Sequence, residues 1–137
     1  MAEPGHLTLT VVTPERSVVE RVACDSVSLP GELGELGILP GHTPLVALLG
    51  VGRVTWTDGG KKTAVAVRGG FVEVAGDAVR VLADLAAEKD GIDATAAREA
   101  QSEGEVRRLG VVGQEELDAV NADVAFAEAK IAVVQGG

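Results

Sequence analysis

The chain has 137 residues, of which 46 % are hydrophobic and 24 % charged, an ordinary balance for one globular domain or one small domain with an appendage. A net charge of −9 argues against a nucleic-acid backbone as partner, and 2 % aromatics (Phe71, Phe126, Trp56) leave no base-stacking platform. One cysteine, Cys24, and two histidines, His6 and His42, exclude an internal disulfide and a multi-cysteine metal cluster and leave little for zinc. No apolar run nears the roughly 20 residues of a membrane span, and no signal-peptide pattern opens the chain, so a soluble, reducing-compartment protein is expected.

Leu7, Leu9 and Val11 alternate with Thr8 and Thr10 and predict a strand that ends by Pro14. Val18 to Leu29 is rich in β-branched residues and reads as extended chain up to Pro30-Gly31. The run from Pro30 to His42 holds four glycines and two prolines, yet also Leu33, Leu36, Ile38 and Leu39. It reads as a rigid loop whose apolar residues suit either an inward tuck or a protein partner. Arg53 to Thr57 and Thr63 to Val67, with Asp58-Gly59-Gly60 between them, predict a hairpin. Gly69-Gly70 breaks the chain before a strand over Phe71 to Ala75, and Gly76-Asp77 turns it into Ala78 to Leu82. Residues 1–86 therefore read as a β-sandwich or barrel of short strands, marginal in stability by itself.

All five prolines lie at or before Pro44, while residues 87–137 are rich in alanine and more acidic. That part reads as two helices. Asp93 is the N-cap of the first, with Ile92 before it and Ala97 as a small staple partner, and the helix spans about Ala94 to Leu109. Gly104 inside it costs about 1 kcal/mol relative to Ala. Gly110 to Gly113 makes the break, and the second helix spans Gln114 to Val134. Leu117, Val120, Val124, Ala127, Ile131 and Val134 form a heptad seam, with flanking alanines that permit close approach. The first helix offers only Ala97, Ala100, Val106 and Leu109 to that seam, so an antiparallel hairpin that is weakly held is expected.

No catalytic constellation stands out. Gly59-Gly60-Lys61-Lys62-Thr63 lacks the first glycine of a phosphate-binding loop and suits a hairpin turn better. Gly50-Val51-Gly52 lacks the third glycine of a dinucleotide fingerprint. Cys24 with His42 would make a nucleophile and base only if folding brought them together, and a lone cysteine in a β-branched run is usually a small buried hydrophobe. Glu32 and Glu35 lie three apart in a glycine-rich stretch that does not fix their separation. No catalytic, metal-binding or cofactor-binding residue is assigned.

Four stretches carry a family resemblance together: Val11-Val12-Thr13-Pro14-Glu15-Arg16, then Gly34-Glu35-Leu36-Gly37-Ile38-Leu39-Pro40-Gly41-His42-Thr43-Pro44-Leu45, then Gly69-Gly70-Phe71-Val72-Glu73-Val74, and finally Val79-Arg80-Val81-Leu82-Ala83-Asp84. In order and spacing they resemble the epsilon subunit of bacterial F-type ATP synthases. The resemblance implies an N-terminal β-sandwich domain (1–86) and a C-terminal two-helix hairpin (87–137). It implies a non-catalytic rotor subunit of the central stalk that binds the gamma subunit and the polar loops of the c-ring and couples proton flow to ATP synthesis. Its location would be peripheral, at the cytoplasmic face of the bacterial inner membrane. Glu35 and His42 would face the ring and gamma, with Leu36, Ile38 and Leu39 packed beside them. The family's hairpin can extend toward the catalytic alpha and beta subunits and inhibit hydrolysis. Members that bind ATP do so through Ile/Leu-Asp-x-x-Arg-Ala; here Ile92 and Asp93 are followed by Ala96 in the arginine slot, and Arg98 lies about 200° around the helix. The motif is degenerate and no cofactor is expected. The second helix sets five acids against Lys130 alone, so weak inhibition is expected, with Arg107 and Arg108 the only clustered bases nearby. The alternative is a generic binding adaptor with the same architecture; an enzyme using Cys24 or Glu32 and Glu35 comes third. A weakly seamed hairpin predicts faster amide exchange over residues 94–134 than in the β core, and equal protection would overturn that reading.

Overall fold

The alternation of Leu7, Leu9 and Val11 becomes strand β1 (Leu7–Val12), in which all three side chains are fully buried. The structure is a computed structural model and describes residues 6–136. Residues 1–5 and 137, at the two ends of the expected domain division, lie outside the described part. After β1 come β2 (Ser17–Cys24), β3 (Ser26–Gly31), β4 (Gly34–Ile38), β5 (Leu45–Leu48), β6 (Val51–Asp58), β7 (Lys61–Ala75) and β8 (Ala78–Ala87). Two helices follow, α1 (Ala94–Arg108) and α2 (Gln114–Val134), within a residue of the boundaries their caps and periodicity predict.

The eight strands form one hydrogen-bonded sheet in the order β2-β1-β8-β7-β6-β3-β4, with β5 also paired to β7. It folds on itself as a β-sandwich. β1 lies antiparallel to β2 and parallel to β8. The expected β6–β7 hairpin is present, with Asp58 opposite Lys61 and with Gly59 and Gly60 at φ of 59° and 85° in the turn. Both positive φ values match a type I′ turn, which suits the twist of the strands.

Two readings of the sequence need correction. The β-branched run from Val18 to Leu29 is two strands with different partners: Cys24 of β2 lies opposite Leu7, and Ser26 of β3 opposite Thr57. The switch occurs at Asp25, whose N–H donates to Thr57 O at 2.7 Å and whose Oδ2 accepts from Gly59 N at 3.0 Å. Those bonds tie the crossover to the β6–β7 turn. The stretch from Pro30 to His42 is also not one loop. Its first part is a hairpin, β3–β4, closed at Gly31 opposite Gly34, and Leu29 opposite Leu36 continues the ladder.

β7 is the long element, and Gly69-Gly70 bends it without ending it. Before the pair Val65 and Val67 face the core; after it Val72 and Val74 do. The inward parity therefore reverses. Gly69 and Gly70 adopt φ of 69° and 109°, and a Cβ on Gly70 would lie 1.9 Å from Leu82 O. The first part of β7 pairs with β6 and the second with β5, so one strand serves both layers.

α2 is buried on two sides. Val120, Val124 and Ala127 of the predicted seam are buried, and Val124 packs into the notch left by Gly104 of α1. Phe126, Ala129 and Val133 form a second face that packs on Ala64 and Ala66 of β7. The heptad reading did not include this face. Ala64 and Ala66 point away from the sandwich core and are small, so a helix can approach the strand closely. Asp93 caps α1 as expected, its Oδ1 accepting from Ala96 N at 3.1 Å. No helix among the described residues is long and apolar enough to cross a membrane.

Gly104 is where the two helices meet. A Cβ there would sit 2.6 Å from Val124 Cγ2, and a valine in a helix has little rotamer freedom to retreat. Gly104→Ala gains about 1 kcal/mol of helix propensity against about 1–3 kcal/mol of overpacking. We expect net destabilisation of the α1–α2 contact, measured as increased amide exchange in both helices, with Val124→Ala in the same chain restoring protection.

Candidate functional site

The hairpin, the following turn and β5 build one end of the sandwich. β5 reads Leu45-Val46-Ala47-Leu48, apolar at every position, although a strand with one solvated face should alternate. In the structure Val46 and Leu48 are exposed at 68 % and 60 %, beside Leu33 at the β3–β4 turn, which is fully exposed. Leu33, Leu36, Val46 and Leu48 line a groove of about 420 Å3 with Glu32 and Glu35 on its rim. Phe71 lies opposite Leu48 in the register and is itself exposed, because the parity reversal in β7 turns it outward. β5 pairs with β7 alone among the named strands, and its other edge meets the β3–β4 turn, where Leu48 O accepts from Glu32 N at 3.0 Å and Gly31 bridges to Leu49.

The residues singled out from the sequence fall around this groove, but not in one loop. Glu35 begins β4 and accepts a hydrogen bond from Ser28 Oγ on β3. Leu36 is half-buried and lines the groove. Leu39 is exposed at the far end of β4. His42 closes the next turn, its N–H donating to Leu39 O at 3.1 Å and its Nδ1 lying 2.6 Å from Thr43 O. Asp77 Oδ1 accepts from Gly41 N at 3.0 Å and anchors that turn to the β7–β8 turn. Glu35 and His42 therefore sit at opposite ends of a strand, with about 10 Å of chain between Glu35 and Ile38 alone. Ile38 needs correction as a contact residue: it is 1 % exposed and belongs to the sandwich core, because side chains alternate along β4. Leu33, Val46, Leu48 and Phe71 went unassigned in the sequence reading, although the unbroken apolar run of β5 was the available signal.

A second concave region lies between α1, α2 and the sheet. It measures about 520 Å3 and is bordered by Ile92, Asp93, Ala96, Arg68, Arg107, Asp123 and Lys130. Its arginines already have a partner. Asp123 Oδ1 accepts from Arg68 Nη1 at 2.7 Å, and its Oδ2 accepts from Arg107 Nη2 at 2.6 Å. Lys130 Nζ lies over the Phe126 ring, 4.4 Å from its centre. Arg68 and Asp123 were not singled out from the sequence, and no local spacing links β7 with α2.

The thiol of Cys24 is fully buried, with the Leu7 carbonyl as its acceptor at 3.8 Å, not a base. Burial pushes its pKa up to about 11, and the carboxylates of Asp58 and Asp25 add to the rise. A thiol in that state is protonated at neutral pH and a poor nucleophile.

The Asp123 carboxyl is held below its usual range, first by the hydrogen bond from Arg68 and then by that from Arg107. A depressed carboxylate stabilises the docked form above its undocked pKa, and that stabilisation is lost as pH falls through the lowered, docked value. The contribution of Asp123 to hairpin docking should therefore be flat from about pH 8 to 5 and decline only below about pH 4, where free aspartate protonates. Amide exchange of the wild-type chain and of Asp123→Asn, compared across that range, checks it; the two should converge in acid.

The model of the ATP synthase delta/epsilon chain β-sandwich domain matches residues 6–89. An ATP synthase epsilon chain of Solibacter usitatus is 42 % identical over 130 residues, covering 94 % of this chain and 96 % of the relative. That of Desulforamulus reducens is 46 % identical over 121 residues, covering 88 % and 89 %. Among solved structures, a chain of the Euglena gracilis mitochondrial ATP synthase (OSCP/F1/c-ring) superposes with a TM-score of 0.76 at 21 % identity, covering 92 % of this chain and 79 % of that one. A chain of the Tetrahymena thermophila mitochondrial ATP synthase central stalk and c-ring gives 0.63 at 13 % identity, covering 94 % and 98 %. The last two likenesses concern the fold; the family model and the two relatives establish that the chain belongs to the ATP synthase epsilon chain family.

Proposed function

We propose that this chain is a rotor subunit of the central stalk of an F-type ATP synthase, where it transmits torque and performs no bond chemistry. The observation that carries the reading is the apolar groove of Leu33, Leu36, Val46 and Leu48, exposed between β5 and the β3–β4 turn in a chain of this family. Contiguous apolar surface on a rigid sheet edge suits a permanent protein partner. We assign that groove, with Phe71, to the gamma subunit. The turns carrying Glu35 at one end of β4 and Leu39 and His42 at the other border the same region and are assigned to gamma and the polar loops of the c-ring. The β-sandwich, about residues 1–86, is then the fixed part of the subunit, attached peripherally at the cytoplasmic membrane face through the complex. The hairpin, about 87–137, is the mobile part that reaches the catalytic alpha and beta subunits.

The charge of α2 argues for weak inhibition. Glu115, Glu116, Asp118, Asp123 and Glu128 accompany Lys130, whose ammonium is occupied by Phe126. A helix of this sign meets an acidic segment poorly. The cleft beside Asp93 is read as structural, because both of its arginines are already hydrogen-bonded to Asp123.

A pull-down from lysate of the source organism with the intact chain as bait should recover gamma with the catalytic subunits; an unrelated partner without gamma would promote the adaptor reading. Leu48→Glu should lower gamma recovery at least tenfold, as for a central apolar contact worth about 2 kcal/mol. Stability should change by less than about 0.5 kcal/mol, since the side chain is exposed. Val106→Glu on α1 serves as the control and should leave gamma binding intact. Removing residues 88–137 should leave hydrolysis by the assembled enzyme within about twofold; a several-fold rise would show the tail to be a strong inhibitor.

A further inference from the structure

We propose that Asp123 is a shared latch, one carboxylate that joins α1, α2 and the sheet, so that the two helices dock and release as one unit. Its consequence for the enzyme rests on the mobile hairpin proposed above; its geometry does not. The three partners come from three elements. Arg68 stands near the bend of β7, Arg107 in the last turn of α1, and Asp123 in the middle of α2. Each carboxylate oxygen takes one guanidinium, at 2.7 and 2.6 Å, so the arginines do not compete for the same acceptor.

The packing gives this arrangement its importance. α2 rests on the sheet through Phe126, Ala129 and Val133, whereas α1 packs on α2 and has no comparable contact with any strand. The polar route from α1 to the sheet therefore runs Arg107–Asp123–Arg68. Two apolar contacts aim the carboxylate. Val124, the next residue, is set into the Gly104 notch and fixes the two helices along their axes. Phe126 sets α2 on the alanines of β7. A slip of α2 separates the carboxylate from both arginines together, and a slip of α1 separates it from Arg107.

An exposed ion pair alone adds little, but two that share one acceptor are coupled, because losing either arginine frees the carboxylate to move. Hydrogen–deuterium exchange on the intact chain tests this. Asp123→Asn should raise opening of both α1 and α2 about three- to tenfold, with the β core unchanged as the control for folding. Arg68→Gln and Arg107→Gln should each give most of that effect, and the double substitution little more. High salt should loosen the wild-type helices and have a much smaller effect on Asp123→Asn. The latch is overturned if Asp123→Asn leaves α1 and α2 as protected as before, or if the two arginine substitutions act independently and multiply. Should a substitution disturb the β core, the salt response of the unaltered chain decides: no loosening rejects the latch. Crosslinking of the hairpin to the alpha and beta subunits in the assembled enzyme separates the two ideas. Looser helices with no rise in crosslinking leave the latch standing and remove the mobile-hairpin reading.

Discussion

A Cβ at Gly70 would lie 1.9 Å from the carbonyl oxygen of Leu82, so β7 can pass β8 at this point only without a side chain. The two positive φ values at Gly69 and Gly70 reverse which residues face inward. Both the floor under α2 and the apolar surface at β5 depend on that reversal. Before it, Val65 and Val67 fill the core while Ala64 and Ala66 form the floor for α2. After it, Val72 and Val74 fill the core and Phe71 is turned out beside Leu48. A regular strand would have placed Phe71 on the same face as Val67, and the apolar surface at β5 would lose its aromatic member.

The helical pair is attached by a small contact. Phe126, Ala129 and Val133 meet Ala64 and Ala66, with Val51, Ala87 and Ile92 half-buried around them, a floor of small residues that permits close approach. Specificity of position comes from shape, through Val124 in the Gly104 notch, and from charge, through Asp123. The balance differs from that of the β core, where large aliphatic side chains such as Leu7, Leu9, Leu29 and Ile38 are almost completely buried. An element held in this way suits the two-position device proposed above.

The groove at β5 is placed on the more rigid part. Its floor belongs to strands that contribute to the core from their other faces, and the turn at Gly41 is fastened to Asp77. In the reading proposed above, torque transmission needs that stiffness. The sandwich and the helical pair are built from different materials: β-branched strands on one side, an alanine-rich helix pair on the other.

The amino-acid sequence by itself determined the order of a β part and two helices, the helix limits to within a residue, the Asp93 cap and the β6–β7 hairpin, because these depend on neighbours a few residues apart; the family was legible in the order and spacing of four stretches. The loop reading of Pro30 to His42 failed where glycine and proline content outweighed the alternation that puts Leu36 and Ile38, two residues apart, together on the inner face of β4. Local composition does not report pairing, and Pro30 is accommodated opposite Glu35 in an antiparallel ladder. The tertiary structure alone decided that Ile38 is core, that Leu33, Val46, Leu48 and Phe71 share a surface, and that Arg68 meets Arg107 through Asp123. Those groups lie tens of residues apart, and their meeting depends on strand order, on the parity change in β7 and on the side of α2 that the sheet selects.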